Sequence, residues 1–426
     1  MSQPDQPLEV EITGIAAGGA GVGRLPDGRV TFVHRTAPGD RARVRVVESK
    51  KRWTRSELVS LPDPSPDRRE APCPHYARCG GCTLEHLTYD AQLRAKSRIV
   101  ADALRRIGGL DVAEPETTAS PREFGYRNRV TFTLRRGATG VVAGFHALER
   151  PDELVEIGAD CLLPEQEVAA AWGVLRREWG QEARRLPSGT ELRLTLRGSE
   201  AGAVSLAVDG GYAAGRPEEL LAAVPALTSV WHRPSGAGEF RLLAGEGGLA
   251  DRWAEEDVEL GGDVFTQVNR GAAALLESHV LDRVRAAAPA TVLDAFCGVG
   301  VYARRLTREG LDVVGIESHP GALDEARRAA PGARFLEGRV EALIGEALPV
   351  EAAVLNPPRA GLHAKVPERL RERPPARLVY VSCDPATLAR DLKRLSGTYR
   401  VAGLRCFDLF PQTAHVETVV ELERAG

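Results

Sequence analysis

The sequence predicts an α/β protein: a parallel, doubly wound sheet toward the C-terminus, preceded by a small β-barrel and a β-rich central region. Three observations carry this expectation. From about residue 265, strand-like runs (TVLDAF, LDVVGIES, ARFLEG, EAAVLNPP, RLVYVSC) are each followed by a helical stretch, and RVAGLRCFDLF and HVETVVELE complete the pattern. Strands alternating with helices build a parallel sheet, whose ligands bind beyond the carboxyl ends of the strands. Residues 8–61 read differently: LEVEITGI, RVTFVHR, RARVRVVESK and RSELVSL alternate, and AAGGAGVGRLPDGR reads as Gly-rich turn. Five or so short strands in about 55 residues suggest a barrel of the size at which OB-like folds bind oligonucleotides. From residue 126 to about 260 the pattern is mostly strands, interrupted by one helix at 164–179.

Length and composition narrow the class. A chain of 426 residues divides into several domains, expected here at 1–61, 62–262 and 263–426. Apolar residues at 43% and charged residues at 27% disfavour disorder. No run of 18 apolar residues occurs, so no membrane span is expected. The start MSQPDQPLEV has neither basic nor apolar block, so a cytoplasmic protein is expected; a monomer is expected as well. PDPSPDRREAPCP (62–74) reads as a linker. Residues 84–110 read as a helix with Leu93, Ile99, Ala103, Leu104 and Ile107 on one stripe, stopped by Gly108-Gly109 and open to packing against the C-terminal domain.

A net charge of −3 by itself predicts no nucleic-acid partner, and 51 of the 56 basic residues are Arg, which reflects a GC-rich genome before function. The distribution is uneven, however. Residues 8–61 carry ten Lys/Arg against six Asp/Glu, and 120–136 holds Arg122, Arg127, Arg129, Arg135 and Arg136 against Glu123 alone. Clustered positive charge in a near-neutral chain is the footprint of phosphate contacts, and also of an ordinary solvated face.

In TVLDAFCGVG (291–300) an apolar strand enters a glycine turn and then a helix. Glycines let the backbone approach a ligand, and the helix start offers free N–H groups. Some 20 residues on, Glu317 ends the second strand, where a carboxylate can accept ribose hydroxyls. NAD would fit, but the turn lacks the full G-x-G-x-x-G, so S-adenosylmethionine, which has no phosphate to cradle, fits better. NPPR (356–359) follows the fourth strand, and Cys383 follows the fifth in VSCDPATLARD, where a thiol is a candidate nucleophile.

Cys73, Cys79 and Cys82 are spaced x5 and x2 around Gly80-Gly81, and Cys161 is the nearest further thiol. Without an export signal disulfides are disfavoured. Four thiolates suit tetrahedral zinc or a [4Fe–4S] cluster, and a close triplet plus one leans toward iron–sulfur. Cys297 and Cys406 read as buried thiols.

Together these motifs resemble the RNA 5-methyluridine methyltransferases, nearly end to end. Residues 8–61 look like a TRAM domain, C73-x5-C79-x2-C82 with Cys161 looks like the family's [4Fe–4S] ligand set, and FGYRNRVTF (124–132) resembles its RNA-facing central segment. FTQVN (265–269), DAFCGVG, GIE and NPPRAG match its cofactor motifs; VSCDPATLARD and FPQTAHVE (410–417) match its catalytic ends. The resemblance implies a Rossmann-like methyltransferase domain dependent on S-adenosylmethionine, an OB-like TRAM barrel and a β-rich central domain. It implies RNA as the partner, ribosomal RNA ahead of transfer RNA, because the transfer-RNA branch typically lacks barrel and cluster.

It also implies roles: Cys383 adds to carbon 6 of uracil, Glu417 removes the carbon-5 proton as general base, and Gln267, Phe296 and Glu317 contact the cofactor. On HVE, His415 and Glu417 are expected to share one face of a strand. Three positions depart from the family pattern: Val301 and Arg339 where Asn is usual, and Asn356 where Asp usually precedes Pro-Pro. Uracil presents an O4 acceptor beside an N3–H donor, and one Asn amide satisfies both, so Asn356 keeps a place in the site as base reader. Cytosine-C5 methylation and a catalytically silent RNA-binding role are the alternatives.

Overall fold

The computed structural model describes residues 6–138, 140–253, 256–261 and 264–425. Five strands, β1 (Leu8–Ile15), β2 (Gly21–Arg24), β3 (Val30–Val33), β4 (Arg41–Ser49) and β5 (Trp53–Asp63), close into a barrel in the order β1-β2-β3-β5-β4. Alternation along β1 and β4 puts Val10, Ile12, Ala42 and Val44 inside, against Leu25 and Val33. Strand β2 corrects the turn expected at 21–24. Its glycines serve close strand approach: a Cβ on Gly23 would lie 2.3 Å from Val10 Cγ1 and 2.7 Å from the Glu11 carbonyl. Strand β5 also runs two residues past the expected boundary at 61.

The expected helix 84–110 is shorter: α1 spans Tyr89–Ala103 and continues as a π-helical turn, Leu104–Gly108, closed by Gly109 at φ 68°. Leu84 and Leu87 are apolar for another reason. They plug a loop, packing with Ile15, Ala37 and the first turns of α1.

Strand β6 (Thr117–Thr118) leads into a central sheet of β7 (Arg129–Gly137), β8 (Gly140–Ala147), β9 (Arg150–Glu156), β10 (Glu191–Gly198), β11 (Val204–Asp209), β12 (Leu227–Arg233) and β13 (Arg241–Gly245), ordered β13-β12-β11-β10-β7-β8-β9. Helices α2 (Gln166–Glu178) and α3 (Pro217–Ala223) pack on it. Trp172 of α2 is fully buried and stacks on Phe132 with centroids 4.0 Å apart, a pairing that adds about 1 kcal/mol beyond its buried area. A separate hairpin, β14 (Leu249–Trp253) and β15 (Glu256–Leu260), follows.

The last unit runs α4 (Arg270–Arg285), β16 (Thr291–Ala295), α5 (Val301–Arg308), β17 (Asp312–Glu317), α6 (Pro320–Ala329), β18 (Arg334–Glu337), α7 (Val340–Ala347), β19 (Ala352–Leu355), α8 (Lys365–Glu372), β20 (Arg377–Ser382), α9 (Pro385–Leu395), β21 (Tyr399–Phe407) and β22 (Glu417–Arg424). The sheet order is β18-β17-β16-β19-β20-β22-β21-β6, parallel through β20 with β22 antiparallel. One core lies between the sheet and α7, α8, α9; the other lies under α4 and α5. Val100 and Leu104 belong to the first core, and β6 pairs in parallel with β21. Residues 89–118 therefore complete the catalytic layer. No helix among the described residues is long and apolar enough to cross a membrane.

Candidate active site and thiol pocket

A cavity of about 780 Å³ opens at the carboxyl edge of the parallel strands, lined by Gln267, Phe296, Glu317, Asn356, Cys383 and Glu417. All six residues expected for cofactor and catalysis thus meet in one place. Val301 and Arg339, two positions that depart from the family pattern, line it too.

The glycine turn after β16 opens on Phe296 itself, at φ 64°, a conformation costly for a bulky residue and kept where the surroundings over-determine it. Glu317 ends β17 and receives three backbone N–H groups: Gly298 at 3.0 Å, Ser318 at 2.7 Å and His319 at 2.8 Å. These hold the carboxylate against the turn. Beneath it the buried Asp294 accepts from Ala303 N at 3.2 Å, joining β16 to the start of α5, and burial pushes its carboxyl up to about 7. Gln267 precedes α4, whose cap Asn269 accepts from Ala272 N at 3.1 Å and donates to Ser120 Oγ and the Leu409 carbonyl.

Cys383 stands between β20 and α9, where Asp384 caps the helix by accepting from Thr387 N at 2.8 Å. Antiparallel pairing of Ser382 with Thr418 places the next residue on one strand, Cys383, beside the preceding residue on the other, Glu417. Burial pushes the Cys383 thiol up to about 11 and the Glu417 charge pushes the same way, while the nearby Arg359 guanidinium opposes both. Glu417 is buried and its carboxyl is driven up to about 8, again opposed by Arg359. Arg359 is thus one cation serving both reacting groups. Sequence reasoning gave Asn356 of NPPR a role but Arg359 none; the position of Arg359 after the end of β19 was the available signal.

His415 is a correction. It is exposed and lies outside β22, which begins at Glu417, so the two do not share a strand face. At the cavity mouth the exposed Phe265 lies under the Arg129 guanidinium, 5.1 Å from the ring centroid. The rest of the 120–136 cluster divides. Arg135 bonds Glu191 at 2.7 Å and Arg136 bonds the carbonyls of Glu182 and Ala183, so these two are committed within the central domain.

Cys73, Cys79, Cys82 and Cys161 line a second, apolar pocket with Tyr76, Phe124, Phe145, Ile157 and Leu163. Gly81 N donates to Cys79 Sγ at 3.3 Å, and a Cβ on Gly80 would press the His146 carbonyl at 3.0 Å, so the two glycines permit the tight loop. Burial raises all four thiols, Cys161 to about 12. Two cations oppose it: Arg35 beside Cys79, and Arg127 beside Cys82 and Cys161. Among the described residues, no group of three or more His, Cys, Asp or Glu side chains is arranged to hold a metal ion. Cys297 and Cys406 are buried, as expected.

A doubly wound sheet closed by an antiparallel strand, a glycine turn without a phosphate loop and a carboxylate ending the second strand fit an enzyme that takes a nucleoside-type cofactor at the strands' carboxyl ends. Residues 338–425 match the model of tRNA (uracil-5-)-methyltransferases, and 3–59 that of TRAM domains. The chain is 38% identical to an uncharacterised RNA methyltransferase of Gloeobacter violaceus, covering 99% of this chain and 97% of the relative. It is 34% identical to one of Streptomyces coelicolor, covering 100% and 94%. The Pyrococcus abyssi tRNA (uracil-54, C5)-methyltransferase in complex with S-adenosyl-L-homocysteine superposes with a TM-score of 0.73 at 27% identity, over 97% of this chain and all of that one. The chain belongs to the RNA (uracil-5-)-methyltransferase family, enzymes that use S-adenosylmethionine to methylate RNA.

Proposed function

We propose that this enzyme forms 5-methyluridine through a covalent adduct between Cys383 and carbon 6 of uracil. The observation that carries the reading is the adjacency of Cys383, Glu417 and Arg359 in the cavity that also holds Glu317. Carbon 5 of uracil is a poor nucleophile until a group adds at carbon 6. Arg359 favours the thiolate of Cys383, which adds there, and the electron pair released moves to carbon 5 and the O4 enolate. Bound S-adenosylmethionine supplies an electrophilic methyl group to that carbon. Glu417 then takes the carbon-5 proton, the C5–C6 double bond re-forms and the C6–S bond breaks, returning the thiolate. Gln267, Phe296 and Glu317 hold the cofactor, and Asn356 reads the N3–H and O4 edge of the base.

Cys73, Cys79, Cys82 and Cys161 would hold a [4Fe–4S] cluster, a reading carried by the family resemblance and by the one pocket that the four thiols line. Four thiolates on such a centre leave a net charge of about −2, which suits the two flanking guanidinium groups of Arg35 and Arg127. When bound, the cluster closes the loop between linker and central domain; the methyl transfer requires no electron from it. Anaerobically purified protein is expected to be brown, with about four irons and four sulfides per chain, and Cys79→Ala to be colourless. One zinc without iron would reassign the site.

Ribosomal RNA is the proposed substrate, on the resemblance that ties barrel and four thiols to that branch. A transfer-RNA reading is favoured by the Pyrococcus relative, whose match covers the barrel and the thiol pocket alike. Mapping 5-methyluridine in ribosomal and transfer RNA from cells with and without the gene decides between them. Loss of the mark from one ribosomal position is expected; loss from transfer RNA alone would establish the second reading.

A further inference from the structure

The thiol loop is bonded directly to the segment that delivers Glu417. Thr83 and Leu84, immediately after Cys82, both donate N–H to the Gln412 carbonyl at 2.9 Å, and Ala414 N donates back to Thr83 Oγ1 at 3.2 Å. Gln412 is fully buried at φ 71°, a left-handed conformation that its partners enforce. Its side-chain oxygen accepts from Arg69 at 2.8 Å and Gln92 at 2.9 Å, its amide nitrogen donates to the Glu123 carbonyl at 3.2 Å, and its backbone N–H reaches Gln92 at 2.9 Å. On the other side, Arg35 of the barrel lies over the Tyr76 ring, 3.4 Å from its centroid, and donates to the carbonyls of Cys79 and Cys82, both at 2.9 Å. One hydrogen-bonded path therefore runs from barrel to thiol loop to residues 412–414, three residues short of Glu417.

We propose that Thr83 and Gln412 are positioning residues that seat Glu417 for proton removal, so that the last catalytic step depends on an intact thiol loop. The inference rests on the reading of Glu417 as general base. Cys383 is held by β20 and α9, neither of which shares a described hydrogen bond with Thr83 or residues 412–414. Slackening the path therefore leaves thiolate addition and methyl transfer intact and slows the breaking of the C5–H bond, whose proton goes to Glu417 and whose electron pair expels Cys383.

The test uses full-length, metal-loaded enzyme with unmodified RNA and S-adenosylmethionine. Thr83→Val keeps the shape and removes the hydroxyl acceptor; Thr83→Ser keeps the hydroxyl; Glu417→Gln is the reference. Thr83→Val is expected to lower kcat about tenfold with KM for RNA changed less than about twofold, as expected of a slightly misplaced group. Methylated covalent complex should accumulate on denaturing gels, and Thr83→Ser should restore turnover. Thr83→Ala, which cannot overpack, should repeat the effect, keeping the test open if the valine variant folds poorly. A fall in kcat without accumulated adduct, or adduct resolved at the wild-type rate while Glu417→Gln stalls, would overturn the inference and leave the base intact. Full turnover by Glu417→Gln would instead remove the base reading itself.

Discussion

Cys383→Ala is expected to lose methyl transfer by more than about 10⁴-fold, because without addition at carbon 6 no nucleophile forms at carbon 5. RNA carrying 5-fluorouridine at the target is the check. Fluorine cannot leave as a proton, so wild-type enzyme should be trapped as a complex that survives denaturing electrophoresis, and the alanine variant should not. The pH dependence has a definite sign. Burial and Glu417 push the Cys383 thiol up to about 11, so the thiolate fraction, and the single-turnover rate of adduct formation, should rise with pH from neutrality. The rise should be about tenfold per unit below pH 8 and shallower above it, where Glu417 ionises and its charge begins to contribute its share of that upward push. Methylation by the alanine variant would dismiss Cys383 as nucleophile.

Glu417→Gln should fail on the other side of the methyl transfer. It keeps the shape and loses the base, so turnover should fall about 10²- to 10⁴-fold while covalent complex accumulates on ordinary RNA. In the wild-type enzyme the carboxyl sits near 8, so below that pH it is mostly protonated and cannot take the carbon-5 proton. Release of product should therefore rise with pH to a plateau with a midpoint near 8, and the glutamine variant should show no such titration. Rapid-quench measurement of adduct decay across pH 6–9 separates release from formation.

Much of this site is legible in the sequence because a parallel sheet delivers residues at strand ends. Phe296, Glu317, Asn356 and Cys383 each follow or end a recognisable apolar strand, and the cavity collects them. Periodicity fails where backbone geometry intervenes. The left-handed Gln412 bends the segment before β22, which is why extending that strand back to His415 misplaced the histidine. Apolar character also misleads when it plugs a loop, as at Leu84 and Leu87, and glycine when it admits a neighbouring strand, as at Gly23. Arg359 is an exposed residue of the loop after β19 that lines the cavity, so no burial pattern marks it. The Thr83–Gln412 and Gln92–Gln412 bonds span more than 300 residues and leave no local signature.

The catalytic layer is not one stretch of chain, and this sets a timetable for its assembly. Helix α1 lies in the core beside α9, Tyr89 donates to Asp408 at 3.0 Å, and the fully buried Lys96 pairs with the same carboxylate 312 residues later. On the ribosome, α1 emerges with an apolar stripe and an ammonium group whose buried counter-charge has yet to be translated. Enclosing that ammonium alone would be costly, so α1 reaches its native burial only once Asp408 is available to pair with it. Only when β21 and the residues after it are released can Lys96, Asp408 and the segment carrying Glu417 lock together. The catalytic site therefore cannot assemble before β21 and β22 are available, and the chain stays inert toward RNA until those two strands are in place.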